Sequence, residues 1–186
     1  MPHFKQRGMV LISALLLLVV VTLLALSMFR SFGIQEKIAG NLREKHRSLQ
    51  AAESAQQFAE FWLSSGNGST GVICNGPLNA NSGQGQVCSN TLASVVPGGD
   101  ITIPWPLTVG VTYTPPSMIV DPSLAATGSY FATPRFYITY LGPAPVGQKG
   151  DVYQIDAMAY GGSVTAVSVV ESTYLVTSGV KNLGGQ

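Results

Sequence analysis

The sequence predicts an α+β fold in which one long N-terminal helix packs on a C-terminal antiparallel sheet. An uncharged apolar run extends from Met9 to Phe29, and apolar residues continue at helical spacing to about Leu63. The last third of the chain holds strand-like segments between turns rich in glycine and proline. Because the helical and strand patterns occupy separate parts of the chain, an α+β arrangement follows.

The apolar run is long enough to cross a membrane. Its roughly 21 residues reach about 31 Å as a helix, which matches the hydrocarbon core of a bilayer. No A-x-A-like signal-peptidase site follows Arg30, where the run ends. Lys5 and Arg7 precede the run and place the N-terminus in the cytoplasm, although the basic group at Arg43–Arg47 on the far side weakens that orientation. We predict a single-pass anchor.

Three regions are predicted: a leader over 1–8, a helix over 9–63 and a globular part over 64–186. The helix divides into a transmembrane portion over 9–29 and an amphipathic portion over the remaining residues. The amphipathic portion carries an apolar stripe at helical spacing. The stripe consists of Ile34, Ile38, Leu42, Leu49, Ala52, Ala55, Phe58, Ala59 and Trp62.

Two glycines interrupt the amphipathic portion. Gly33 and Gly40 each cost about 1 kcal/mol relative to alanine in a helix interior. They mark places where the helix could bend or locally unwind. The charged cluster Arg43–Arg47 is most simply a solvated helix face, with contact to lipid headgroups or neighbouring subunits as the alternative.

Charge is scarce and the net charge is close to zero. Only 10% of the residues are charged, against about 25% in a usual soluble domain, and the formal net charge is +1. This composition offers no basic field for nucleic acid. The part beyond the helix is polar but almost uncharged, which is typical of an extracytoplasmic β-rich domain.

The cysteine count predicts one disulfide, between Cys74 and Cys88. An even number of cysteines in an exported segment favours a bridge. The closed loop of about 15 residues would add on the order of 3 kcal/mol of stability. Two free buried thiols are the alternative, ranked lower because the intervening sequence is loop-like. No other cysteine and no histidine lies nearby, so neither a metal nor a cofactor is expected.

Three strands are predicted near the C-terminus. They cover Arg135 to Leu141, Val152 to Tyr160 and Val164 to Val176, with Gly161-Gly162 as a tight hairpin turn between the last two. Both faces of the third strand carry apolar residues, so both are expected to be partly covered. Weaker strand signals lie at 101–103 and 107–113, where nearby prolines restrict pairing.

The residues give little support to catalysis. His46 is the one histidine beyond the leader, and no nucleophile, zinc or phosphate-binding motif is present. Asp151 and Asp156 lie five residues apart, which points their side chains to opposite faces of a strand. Trp105 could anchor a partner, but a core aromatic under a loop is the favoured interpretation. Phe58 and Trp62 are likewise interpreted as core residues.

The chain resembles the type IV pilin-like proteins, and among them the minor pilins of the PilX kind. The resemblance lies in QRG directly before the apolar run, in QEKIAGNLR over 35–43 and in QAAESA over 50–55. It is specific over about 5–63, loose over 134–176 and absent over 64–130. It implies that a prepilin peptidase cuts after Gly8 and that the new amine of Met9 is methylated.

The resemblance also implies a location, partners and a role. The stem would lie in the inner membrane until assembly moves it into a pilus, where it packs beside other stems. Its partners would be other minor pilins, the major pilin and a tip adhesin of the PilY type. The implied role is assembly of, and presentation at, a type IV pilus, supporting adhesion and twitching motility, with no chemistry of its own.

One position departs from the pilin pattern. Most pilins carry a glutamate five residues into the mature chain, thought to neutralise the terminal amine of the adjacent, earlier-added subunit. Ser13 occupies that position here and supplies no charge. A subunit with nothing above it needs no such carboxylate, so the sequence favours a place at or near the pilus tip, in a priming complex.

Two alternatives remain open. The nearer one is a pseudopilin of a type II secretion system, which genomic neighbours or loss of secretion would reveal. The more distant one is a signal-anchored periplasmic enzyme or binding protein, which would keep Met1 and yield an active soluble fragment from about residue 31.

Overall fold

The computed structural model describes residues 7–75, 78, 84–102, 104–123 and 128–177. The chain divides into two compact units, Met1–Leu42 and Arg43–Gln186. Most of the predicted leader and the last nine residues lie outside the described part of the chain.

One helix, α1, runs from Arg7 to Trp62, so the predicted end at Leu63 is one residue late. A π-helical turn over Leu63–Asn67 follows it. Side chains in this turn donate to the last free carbonyls of the helix: Ser64 Oγ reaches Phe61 O at 2.8 Å, and Asn67 Nδ2 reaches Trp62 O at 2.9 Å. The polar run after the apolar stripe therefore ends the helix by satisfying its terminal acceptors.

Within the described residues, the sheet has five strands. They are β1 (Val87–Cys88), β2 (Val111–Thr112), β3 (Arg135–Pro143), β4 (Asp151–Tyr160) and β5 (Val167–Val176). The order is β1-β3-β4-β5, and β2 also pairs with β3. The long strands are antiparallel to one another, but β1 is parallel to β3. The sheet is therefore mixed rather than purely antiparallel, because a short piece of the disulfide-linked loop lies beside β3.

The sheet has a core on each face. The core on one face joins the end of the helix to the sheet. Its buried residues are Ala55, Ala59, Leu63, Val87, Val111, Phe136, Ile138, Tyr153, Ile155 and Ala157. The core on the other face lies under the irregular segment between the helix and β3. Its buried residues are Cys74, Cys88, Leu92, Val96, Trp105, Val109, Ala132, Tyr137, Met158 and Tyr160.

The strand β5 contributes to both cores, as its alternating sequence predicts. Val170 and Val176 pack with the helix-side core, whereas Val167 and Val169 pack with the core on the opposite face. Successive residues of a strand point to opposite faces, so one apolar strand can serve two cores.

The predicted tight turn at Gly161-Gly162 is wrong, and so is the predicted start of the third strand at Val164. The connection between β4 and β5 is six residues long and contains a turn in which Ala166 N donates to Ser163 O at 3.2 Å. Gly162 N donates to a side chain of the helix, Glu44, and not to the sheet. This contact ties the connection to the helix.

Two weaker predictions also change. Of the predicted strand over 107–113, only Val111–Thr112 forms, because Val109 N is engaged in a turn with Pro106 O. The described residues of the segment 101–103 form no strand, and residue 103 lies outside the described part. The apolar stripe also begins late. Ile34, Ile38 and Leu42 are exposed, and burial along α1 starts at Ser48.

Candidate functional site

The first part of α1 is an uncovered apolar helix. Between Met9 and Met28 every residue is exposed in the single chain. This stretch lies in a helix long and apolar enough to cross a membrane. Twenty consecutive exposed positions, most of them leucine, valine, isoleucine or methionine, form a surface that water disfavours on every side. The segment therefore requires lipid or other protein around it.

Two hydroxyl groups in this segment, those of Ser13 and Thr22, are satisfied within the helix. Ser13 Oγ donates to Val10 O at 3.0 Å, and Thr22 Oγ1 donates to Val19 O at 2.8 Å. Such bonds to the preceding turn remove the penalty for placing a hydroxyl donor in an apolar environment. At the position where a carboxylate is expected in most pilins, the chain thus has an uncharged group that bonds to its own helix.

The other N-terminal residues of interest are helical. Gly8 and Met9 both lie in α1, whose described part begins at Arg7. Gly33 and Gly40 are also helical, and a Cβ atom added at either would meet nothing within 4 Å. Close packing therefore does not require glycine at these two positions. The expected bending at these glycines stays a prediction.

The second unit holds its part of the helix with a polar cluster, which we call the clasp: Glu44, Lys45, Arg47 and Ser48. Arg47 Nη1 lies 2.9 Å from Glu44 Oε1, and Glu44 Oε2 accepts a bond from Gly162 N at 2.5 Å. Arg47 also donates to the carbonyls of Gly128 and Ser129 and stacks over the Tyr130 ring. One helical turn is thereby tied to two separate loops.

The charges in the clasp support each other. Burial by itself would raise the pKa of Glu44, but the bond from Gly162 and the Arg47 guanidinium lower that pKa below its usual value. Burial likewise opposes the charge on Arg47, whose pKa is nevertheless raised by the Glu44 carboxylate. The ionised form of both side chains is favoured in the folded unit.

The remaining clasp residues reach the start of β5. Lys45 Nζ donates to Val167 O at 2.6 Å, and the buried Ser48 Oγ lies 2.7 Å from Ser168 Oγ. The interpretation of Arg43–Arg47 as a solvated face therefore holds for the exposed Arg43 and His46 but not for Glu44 and Arg47. Helical periodicity cannot reveal these contacts, because the partner groups are mostly backbone atoms of distant loops.

The irregular segment between the helix and β3, which we call the covering segment, lies on the other face of the sheet and contains the disulfide. Cys74 and Cys88 are bonded, with their Cα atoms 5.5 Å apart, and no cysteine is free. The Asn90 side chain accepts from Cys74 N at 2.7 Å and donates to Cys74 O at 2.9 Å. Tyr137 on β3 donates to Asn90 O at 3.1 Å. Sequence reasoning missed Asn90, which carries no motif.

The carboxylates of β4 do not form a pair with each other. Asp151 accepts from Tyr140 Oη at 3.1 Å, while Asp156 is 1% exposed and accepts from Gln154 Nε2 at 3.1 Å. Burial raises the pKa of Asp156 to about 6, with Gln154 opposing the rise and Glu171 adding to it. Within the described residues, no group of three or more histidine, cysteine, aspartate or glutamate side chains could hold a metal ion.

The conspicuous aromatic residues belong to the core. Trp105 is 1% exposed and lies in the core under the covering segment, so it does not serve as an exposed anchor. Phe58 stacks on Tyr113 with ring centroids 4.3 Å apart. The interpretation of these side chains as core residues is confirmed.

The comparisons with known proteins concern the helix. Residues 7–56 match the family model described as PilX N-terminal. No curated protein and no solved structure matches the chain. The matched range contains the exposed apolar segment, the clasp and the first buried alanines under the sheet. The match at the N-terminal segment supports a type IV pilin of the PilX family.

Proposed function

We propose that this protein is a minor pilin that acts in the priming complex at the tip of a type IV pilus and so supports adhesion and twitching motility. The observation that carries the proposal is the apolar part of α1, which is exposed at every position from Met9 to Met28. Lipid satisfies such a surface before assembly, and neighbouring stems satisfy it afterwards. The family match covers this same segment.

Proteolytic processing and methylation prepare the apolar segment to leave lipid and pack against neighbouring stems. A prepilin peptidase cuts between Gly8 and Met9, and the new amine is methylated. Before assembly the protein is a single-pass protein of the inner membrane, with its N-terminus in the cytoplasm. After assembly it is part of the pilus, in contact with other minor pilins, the major pilin and a PilY-type tip adhesin.

Ser13 supports a place at the tip. In the fibre interior, a terminal amine without a counter-charge is costly, and a glutamate from the next subunit offsets that cost in most pilins. Ser13 cannot do so, and its hydroxyl already bonds to Val10 O. A subunit that is added first has no earlier amine to neutralise.

The N-terminus of the membrane-extracted protein tests the assignment. We expect mass spectrometry to find a methylated Met9 as the first residue. Deletion of the gene is expected to reduce surface fibres and twitching while leaving protein secretion intact. An intact Met1 would instead indicate a signal-anchored protein, and loss of secretion with normal motility would indicate a type II secretion pseudopilin.

The tip position is tested at Ser13 itself. We expect Ser13→Glu to move the subunit away from the tip or to change the number of fibres, because the new carboxylate can pair with the amine of an earlier subunit. Ser13→Ala is the matched control, since it removes the hydroxyl without adding charge. Unchanged fibre number together with tip location in the glutamate variant would show that this residue does not set the position.

A further inference from the structure

We propose that a pocket beside α1 binds a single neutral sugar ring of a glycan. We call it the sugar pocket: it lies between Gln50 and Ser54 of the helix, the turn over 115–118 and the ring of Tyr130. This inference rests on the proposed function for its setting, which is adhesion, and adds to it a site and the class of ligand. Binding itself can be measured without fibres.

The helix supplies one wall of the sugar pocket. Gln50 and Ser54 are about one turn apart and therefore share a side of α1. Ala52 and Ala55 in the same stretch are fully buried on the side of the sheet. Every wall of the pocket belongs to the unit Arg43–Gln186, and the cavity has a volume of about 260 Å³.

A tight turn supplies the second wall. Met118 N donates to Pro115 O at 3.1 Å, which closes the four-residue turn. Ser117, at the third position, has a φ of 66°, and Pro116, at the second position, cannot adopt a positive φ. This combination identifies a type II turn, in which glycine or asparagine is usual at the third position.

Ser117 is an unusual residue for that position. Among the described residues it is the one residue other than glycine that has a positive φ. Glycine would adopt this conformation without the clash of a Cβ atom, and burial does not explain the serine, because the residue is exposed. Backbone strain of this kind clusters at functional sites. The feature that serine adds is a hydroxyl group on the wall of the pocket.

Tyr130 is held in place by its backbone and by its ring. Its backbone N donates to Ile119 O at 2.8 Å, which ties Tyr130 to the residues that follow the turn. The Arg47 guanidinium lies 4.4 Å from the ring centroid. Met118 and Tyr130 both pack against a small buried core of alanines. The walls of the sugar pocket are thus formed before a ligand arrives, which lowers the entropic cost of binding.

The polar groups of the sugar pocket are available to a ligand. The side chains of Gln50, Ser54 and Ser117 form no hydrogen bond within the described part of the chain. The amide offers two donor hydrogens and an acceptor, and each hydroxyl group can both donate and accept. This set matches the hydroxyl groups of a sugar, which also donate and accept.

Charge and size narrow the ligand to a neutral sugar. Among the described residues that line the pocket none is charged, and the nearby Arg47 is already paired with Glu44 and two backbone carbonyls. An acidic sugar or a phosphate would therefore find no free counter-charge. Pro115, Met118 and the Tyr130 ring offer an apolar wall to the C–H face of a pyranose. The cavity is smaller than the roughly 300–1,000 Å³ of sites for drug-sized ligands, so it admits one ring and not a peptide segment.

Sugar binding by the full chain tests the site. The protein is held in a detergent without a sugar headgroup, and binding is followed by saturation-transfer NMR. The probes are the methyl α-glycosides of glucose, galactose and mannose, with N-acetylneuraminic acid as the acidic comparison. We expect at least one neutral glycoside to bind with a dissociation constant on the order of 1 mM, as for a ligand of this size, and the acidic sugar not to bind.

Variants on two walls distinguish the sugar pocket from other places where a sugar could bind. Gln50→Ala is expected to weaken binding of the neutral glycoside at least tenfold. Gln57→Ala, at an exposed position of the same helix outside the pocket, is expected to change binding less than twofold. Ser117→Gly removes the hydroxyl group and relieves the backbone strain, so we expect at least fivefold weaker binding with a melting temperature close to that of wild type. A purely structural role for Ser117 would not separate these two measurements.

The possible results separate the sugar site from the proposed function. The sugar site is refuted if no neutral glycoside binds, if the acidic sugar binds instead, or if Gln57→Ala weakens binding as much as Gln50→Ala. Unchanged affinity in both Gln50→Ala and Ser117→Gly refutes it as well. None of these results touches the place of the protein in a pilus, which is measured in fibres and motility. A chain that binds the sugar but is absent from fibres would retain the site and lose the proposed function.

Discussion

Two stretches of the same helix differ in whether their apolar side chains are exposed or buried. From Met9 to Met28 the large leucines and valines are exposed, whereas from Ser48 to Leu63 the buried positions are mostly alanines. Ala52, Ala55 and Ala59 are 0% exposed, because their small side chains let the helix approach the sheet closely. Bulky Phe61 in the same stretch stays outside at 68% exposure.

The contrast shows that hydropathy and burial report different things about this chain. High hydropathy in the first stretch indicates that its side chains favour an apolar environment, and not which face is buried in the monomer. Small residues in the second stretch indicate where the chain packs against itself. The side chain of Trp62 is only partly buried, and it lies beside Gly85.

The largest expected effect comes from charging the first stretch. The double variant Leu16→Arg with Val20→Arg places two cations on one face of the apolar segment, at a cost of about 3 kcal/mol each for insertion into a bilayer. We expect the protein to be lost from alkaline-washed membranes and from fibres.

The matched control puts the same charges, at the same spacing, in the exposed face of the second unit. His46→Arg with Gln50→Arg is expected to leave membrane association unchanged, because both positions face water. Wild-type membrane retention and fibre incorporation of the Leu16 and Val20 variant would contradict the role given to the apolar stretch.

A single charge in the second stretch gives the next effect. Ala59→Glu places a carboxylate with no partner in the core beside Phe136 and Ile155, and we expect a loss of about 4 kcal/mol in the free energy of unfolding. Gln57→Glu, on the exposed side of the helix two residues away, is expected to stay within about 0.5 kcal/mol of wild type. Denaturant unfolding of the full chain in detergent measures both. Similar stability for the two variants would mean that the helix does not pack on the sheet through its alanines.

The smallest effect concerns the clasp, where the second stretch begins. Glu44→Gln removes a charge-assisted bond to Gly162 and the ion pair with Arg47, at a cost of about 1–2 kcal/mol at pH 7. The pKa of Glu44 is lowered on folding. Its contribution to stability is therefore present above its unfolded pKa, near 4.5, and is lost as the pH falls through the folded value.

The pH profile distinguishes this charge effect from a loss of packing. Thermal unfolding at a series of pH values from 7 to 3 is expected to show a smaller acid-induced loss of stability for Glu44→Gln than for wild type. Parallel profiles for the two proteins would show that the Glu44 carboxylate does not stabilise the folded unit through its charge.

The sequence by itself determined the features that depend on composition and short-range pattern. An uncharged run of the right length predicts a membrane segment, two cysteines predict the bridge between Cys74 and Cys88, and alternating residues predict the three long strands. The α+β class and the PilX resemblance follow from the same local signals, and each is confirmed. These features can be predicted because hydropathy and periodicity depend only on residues that are neighbours along the chain.

Only the tertiary structure decided how the pieces meet. The late start of burial along α1, the six-residue connection before β5 and the parallel β1 strand depend on contacts between distant residues. Glu44 accepts a hydrogen bond from Gly162 N, and Asn90 accepts one from Cys74 N, although neither residue stands in a recognisable motif. Their partners are backbone atoms that come close only after the chain has folded, so no local sequence pattern could predict these contacts.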